Sequence, residues 1–151
     1  MGKTPDQAWT ALITQLRNAL GSGGALEYVD YVYEGLRDGV TSYPCIVVEP
    51  LREPEKMGAL LGRMDVKLQV QVVGILKIHD KDLQIVGDAT IKGIMDLKND
   101  MAKAITSDHT LGGVVIDTNI IDARYDWSDY PHRSVTLEIE IDFEQDVQTR
   151  T

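Results

Sequence analysis

Between residues 134 and 144 apolar and polar side chains alternate without a break. Val135, Leu137, Ile139, Ile141 and Phe143 are set against Thr136, Glu138, Glu140, Asp142 and Glu144. A strand turns successive side chains to opposite faces, so one side of this segment must be buried while its nearly all-acidic side meets water or a partner. A slip of one residue would carry four carboxylates into the core, which fixes the register. The pattern demands a sheet with one covered face and one open face, and by itself specifies no chemistry. Just upstream, Asp108-His109-Thr110-Leu111-Gly112-Gly113 closes a helix-like segment and turns the chain into this region.

Two further segments read as strands of that sheet. Residues 63–79 place Met64, Val66, Leu68, Val70 and Val72 opposite Asp65, Lys67, Gln69 and Gln71, with a change of pattern at Gly74 that predicts a bulge or bend. Residues 44–50, Cys45-Ile46-Val47-Val48-Glu49 between two prolines, suit a strand buried on both faces. The tyrosine-rich stretch 26–34 predicts a strand that pairs with 44–50 around a turn, and 114–127 a strand joined to 134–144 through a hairpin at 128–133.

Two segments carry helical spacing. Thr4-Pro5-Asp6-Gln7 is a helix start, and Trp9, Leu12, Ile13, Leu16 and Leu20 follow on one face until Gly21-Ser22-Gly23-Gly24 stops it. Trp9 reads as a core anchor. Residues 82–106 repeat the spacing through Leu83, Val86, Thr90, Ile94, Leu97, Met101 and Ile105, with Asp80 or Asp82 as cap; Gly87 and Gly93 weaken the helix and are tolerated where another backbone packs close. The predicted order is helix, three strands, helix, two strands: an α+β fold with a mostly antiparallel sheet flanked by two helices. The chain reads as one domain over 1–151, with an extended loop at 51–63 and a short flexible tail at 146–151. Loops of that length are uncommon unless they have a task, and Met57, Leu60 and Leu61 give this one an apolar patch suited to docking on a neighbour or to folding back over its own core.

Chemistry is sparse. Among the 151 residues, 24 acidic and 15 basic side chains give a formal charge of −9, which argues against gripping nucleic acid by its phosphates. Cys45 is the only cysteine, so no intrachain disulfide forms; its apolar neighbours make it a small buried hydrophobe rather than a reactive thiol. His79, His109 and His132 are not spaced as metal ligands, no serine stands in an elbow motif, and no cofactor motif is found. No run approaches the roughly 20 apolar residues of a membrane span, and no signal-peptide layout opens the chain, so a soluble protein made in a cytoplasm is expected. Glu138, Glu140, Asp142 and Glu144 stand at a spacing near that of glycosidase carboxylates, yet four in a row without an aromatic platform read better as a solvated or partner-facing surface. Arg124, Tyr125, Trp127 and Tyr130, of the residue types that anchor interfaces, mark a second candidate surface at the hairpin tip, with local packing as the alternative.

Tyr-Val-Tyr-Glu-Gly at 31–35, Tyr-Pro-Cys-Ile-Val-Val-Glu-Pro at 43–50, the long strand from Arg63, the helix and Asp108 to Gly113 before a closing strand pair together resemble the tail terminators of tailed bacteriophages. The resemblance runs from about Thr4 to Glu144 and rests on the order of elements more than on any single residue; other head-tail joining and tail-completion proteins share it. It implies a non-enzymatic virion protein, assembled in the host cytoplasm, that forms a ring, usually a hexamer, at the head-proximal end of the tail. The implied partners are further copies of itself, the tail tube protein, a head connector or stopper protein, and the sheath where there is one. DNA would pass through without specific binding, and no cofactor, metal or membrane is involved. Glu138, Glu140, Asp142 and Glu144 would then face the lumen or a neighbouring subunit, and the loop at 51–63 with the long strand would close the ring. The competing classes are a small α+β enzyme and a cytoplasmic adaptor.

Overall fold

The computed structural model describes residues 3–35, 42–57, 63–126 and 130–146. Two helices, α1 (Pro5–Asn18) and α2 (Ile94–Thr106), lie with six strands: β1 (Tyr31–Glu34), β2 (Cys45–Arg52), β3 (Glu55–Met57), β4 (Arg63–Lys77), β5 (Asp117–Asp126) and β6 (His132–Asp146). The strands form one sheet in the order β1-β2-β4-β6-β5, with β3 also paired to β4. All pairings are antiparallel except β1 with β2. This is the expected α+β fold, with one short strand added.

The β4–β6 ladder is its spine, running unbroken from Arg63 opposite Asp146 to Lys77 opposite His132. Val66, Leu68, Val70 and Val72 of β4 and Val135, Leu137, Ile139, Ile141 and Phe143 of β6 are buried on one face. There they meet Leu12 and Leu16 of α1 and Leu97, Met101 and Ile105 of α2 in one core cluster. The five inward residues of β6 contribute about 8–15 kcal/mol of gross burial at roughly 1.5–3 kcal/mol each, before ordering entropy. Gln7 caps α1 by accepting the Thr4 N–H through Oε1 at 3.0 Å. Gln15 of α1 donates through Nε2 to the carbonyls of Ala104 (3.0 Å) and Ile105 (2.9 Å), tying α1 to the last turn of α2.

Four local expectations are corrected. The helix predicted over 82–106 is helical only from Ile94; a short 3-10 turn, Lys81–Leu83, and an irregular loop precede it. A Cβ on Gly87 would lie 1.8 Å from the Ile91 oxygen and one on Gly93 2.5 Å from the Ile85 oxygen, so close backbone approach there belongs to a folded-back loop and not to a helix. Gly74 forms no bulge, for its register is continuous with both neighbours; instead a Cβ would meet Met101 Sδ at 2.5 Å, so the glycine lets α2 settle on the sheet. Residues 26–30 are turn and irregular chain, with Leu26 and Val29, three apart, both entering the core; only Tyr31–Glu34 is strand, and it runs parallel to β2. The excursion at 51–63 is partly regular: β2 extends to Arg52 and β3 pairs with the start of β4.

Candidate functional site

Both helices cover the same face of the sheet, so the register places the polar partners of β4, β5 and β6 together on the other. Across β4 and β6 the outward pairs are Asp65 with Glu144, Lys67 with Asp142, Gln69 with Glu140 and Gln71 with Glu138. Beyond β6, Asp117 stands opposite Asp142, Asn119 opposite Glu140 and Asp122 opposite Glu138, the last after a register shift at Ile121. Seven carboxylates therefore share this face with Lys67. Its Nζ lies 3.3 Å from Glu140 Oε1 and 3.8 Å from Asp142 Oδ1, and Gln69 Nε2 donates to Glu140 Oε2 at 3.2 Å. The hydrogen bond to Glu140, with the charge of Asp142 beside it, holds the Lys67 ammonium above its ordinary pKa.

Asp142 shows the strain of this crowding. Partial burial, then the charges of Glu140, Asp117 and Asp65, push its carboxyl up, and Lys67 only partly opposes them. Its Oδ1 is enclosed without a hydrogen bond, for 3.8 Å to Lys67 is an ion pair and not a bond. Like charges directly opposite on adjacent strands are destabilising.

Toward β1 the same open face changes character. Cys45 and Val47 of β2 pair with Ile75 and Val73 of β4 and with Tyr31 and Tyr33 of β1. Cys45 is fully buried, and that burial raises its thiol pKa to about 11, so it is an inert core residue as expected.

The turn Asp108 to Gly113 is a compact knot. Asp108 accepts the N–H of Thr110 (3.0 Å) and of Gly112 (2.9 Å) as well as the Thr110 hydroxyl (2.7 Å), which holds its carboxyl below the ordinary range. Gly112 and Gly113 have φ of 73° and 84° with open space around them, so glycine is needed for the backbone alone. His109 Nδ1 lies 3.1 Å from the Thr118 carbonyl and 3.4 Å from Asp117, linking the knot to the acidic face.

The second candidate surface does not form one patch. Arg124 and Tyr125, at the end of β5, pair with Thr136 and Val135 and so point to opposite faces of the sheet. The Tyr130 hydroxyl donates to the His79 carbonyl, and Lys81 Nζ sits 5.1 Å above its ring. Met57 closes the β3 ladder opposite Met64; Leu60, Leu61 and Trp127 lie outside the described residues.

Three features escaped the sequence reading. One is a part-buried network in which Tyr28 donates to Asp100 at 2.7 Å while the exposed Lys92 stands 3.5 Å from the same oxygen. Another is the loop at 84–93, hidden inside an apparent helix in which Gly87 and Gly93 read as tolerated. The third is a groove of about 630 Å³ between α1 and α2, floored by Gln15 and Ala104. Among the described residues no group of three His, Cys, Asp or Glu side chains is placed to hold a metal ion, and no helix is long and apolar enough to cross a membrane.

No family model and no curated protein matches the chain. Thirty-four chains of solved structures match its fold. One of them belongs to the virion of a native gene transfer agent (GTA) particle, with a TM-score of 0.51 and 12% sequence identity over 91% of this chain and 93% of that one. At that identity the likeness establishes a shared fold from end to end.

Proposed function

We propose that this protein is a structural component of a phage-type virion that forms a ring, a homohexamer, at the head-proximal end of the tail, where it ends tube polymerisation and joins the tail to the head connector. The observation that carries the reading is the end-to-end likeness to a chain of a gene transfer agent virion, 91% of one chain on 93% of the other. The open acidic face supports it physically. A passage for DNA works best when its wall does not bind phosphate, and carboxylates concentrated on one regular surface repel it.

In this reading Glu138, Glu140, Asp142 and Glu144 face the passage or the next subunit, and the protein catalyses nothing and needs no cofactor. Residues 51–63, with β3 and the start of β4, contact the neighbouring subunit. The partners are the tail tube protein on one side and a connector or stopper protein on the other, with the sheath where there is one; assembly takes place in the host cytoplasm. A neck protein elsewhere in the head-tail joint is the runner-up, since the matching chain belongs to a structure of a whole virion.

Purified protein added to polymerising tail tubes should bind one end and arrest growth at substoichiometric amounts. Tubes that lengthen at an unchanged rate, with no protein at either end, would remove the terminator role.

A further inference from the structure

The sheet ends in β1 on one side and in β5 on the other. The β1 edge is closed by α1: Arg17 Nη2 donates to the Val32 carbonyl at 3.0 Å, and Trp9 Nε1 to Glu34 at 2.7 Å. The β5 edge is open beyond Thr118, whose carbonyl and N–H are met by His109 Nδ1 at 3.1 Å and Asp117 Oδ1 at 2.9 Å. After the register shift at Ile121, residues 122–126 pair regularly with β6 and, among the described residues, with no other strand. Ile121 and Tyr125 are 48% and 45% exposed there. An edge of this kind is a template for another strand.

The ladder determines which backbone groups are free. The Ile116 N–H donates to the Asp142 carbonyl at 2.8 Å, so Asp142 turns its backbone toward β5. Alternation along β6 does the same for Glu138, Thr136 and Ser134, which engage Asp122, Arg124 and Asp126. The N–H and C=O groups of Ala123 and Tyr125 therefore point off the sheet. A second β5 strand, antiparallel and centred on Ala123, sets Asp122 opposite Arg124 twice and Tyr125 opposite Ile121. Centring on Asp122 or on Arg124 would oppose that residue to its own copy, and like charges directly opposite are destabilising. Centring on Tyr125 runs the ladder past the end of β5 at Asp126.

The surrounding charges agree with the register centred on Ala123. Among the described residues neither Arg124 nor Asp122 has an ion-pair partner, and Asp122 stands opposite Glu138. Pairing gives each of them a partner of opposite sign, and leaves Asp126 beside Ile120 in solvent. The β6 carboxylates of the two copies would stand three strand spacings apart, roughly 14 Å, beyond the Debye length of about 8 Å.

We infer that two copies of the chain pair edge to edge through β5, about a twofold axis at Ala123. Such a contact uses one patch twice and stops at two, so it is not the contact repeated around a ring and does not depend on the ring reading. The ladder is short, and the pair is accordingly a weak one that forms at high concentration.

Ala123→Cys tests the contact, because Cys45, the only native cysteine, is buried. Residues in a hydrogen-bonded antiparallel pair have Cα atoms about 5.5 Å apart, within reach of a disulfide. Under mild oxidation Ala123→Cys should form a covalent dimer faster than Thr10→Cys, an exposed thiol on α1. Adding Arg124→Asp or Asp122→Arg should slow it about tenfold, since two opposite-charge pairs become like-charge pairs. Combining the two exchanges should restore the original rate, with the circular dichroism unchanged throughout. A rate no greater than that of Thr10→Cys would overturn the inference, as would single exchanges without effect or a combined exchange that fails to recover the rate. None of these outcomes touches the ring reading, which rests on the arrest of tube growth.

Discussion

Asp96 is the residue on which the shape of the 84–93 loop turns, and Asp96→Ala is its sharpest perturbation. One carboxylate oxygen accepts two backbone N–H groups, from Gly87 and Gly93, each at 2.9 Å, and so closes the loop onto the first turn of α2. Hydrogen bonds to a charged group contribute roughly 1.5–3 kcal/mol each. Asp96 is partly exposed and solvent recovers part of the loss, while alanine regains up to about 0.7 kcal/mol of helix propensity. The net cost should be about 1–3 kcal/mol. At about 2–4 °C per kcal/mol for a chain of this size, Tm should fall by about 2–12 °C.

The pH dependence supplies a second check. The bonds from Gly93 and Gly87 hold the Asp96 carboxyl below its ordinary pKa, so its stabilisation is fully present above the unfolded value near 3.9 and is lost as pH falls through the folded value. The Tm difference between wild type and Asp96→Ala, followed by circular dichroism, should be full at pH 7 and shrink progressively below about pH 4. A difference under about 0.5 kcal/mol at pH 7, or one that persists undiminished in acid, would refute the reasoning.

Three further outcomes follow from the packing and the charge. Gly74→Ala should cost about 1–3 kcal/mol in a denaturant titration, because a Cβ there meets Met101 Sδ at 2.5 Å and Leu97 Cδ2 at 2.8 Å beneath α2; unchanged stability would show that α2 can lift freely. Asp142→Asn should leave the isolated protomer as stable or slightly more stable at pH 7, since the raised Asp142 pKa means that the folded state disfavours the ionised form and gains stability as pH falls toward that pKa; a marked loss on thermal melting would assign the carboxylate a structural role. Gly112→Ala should cost about 1–2 kcal/mol, the usual penalty for a side chain at a φ of 73° in otherwise open space, and the same protein should keep its far-ultraviolet spectrum.

The sheet was the most legible part of the chain, because strict alternation leaves one register and one inward set, and Val135 to Phe143 occupy it as expected. The start of α1 was equally plain, since Thr4, Pro5 and Gln7 act through neighbours in sequence. What escaped was set by contacts distant along the chain. Leu83, Val86 and Thr90 fall at helical intervals although their segment is a loop, and only the backbone crowding at Gly87 and Gly93 reveals it. A glycine inside a strand permits either a bulge or a close approach, and the change of pattern at Gly74 pointed to a bulge or bend where α2 in fact rests on it. β1 contributes only four strand residues, and nothing local in Tyr31–Glu34 distinguishes a parallel partner from an antiparallel one. The acidic face could be read from alternation, but the place of Lys67 between Glu140 and Asp142 required the register of β4 against β6. The groove between α1 and α2 was invisible for the same reason: it is assembled from segments that meet only when folded.

The central claim is a ring whose acidic sheet face is turned to the passage or to the next subunit. Cryo-electron microscopy of the protein assembled on tail tubes tests it most directly. The account predicts a closed ring at one end of the tube, with Glu138, Glu140, Asp142 and Glu144 lining the channel or the subunit boundary. Density showing single copies, or a ring that carries those four residues on its outer rim in free solvent, would contradict it.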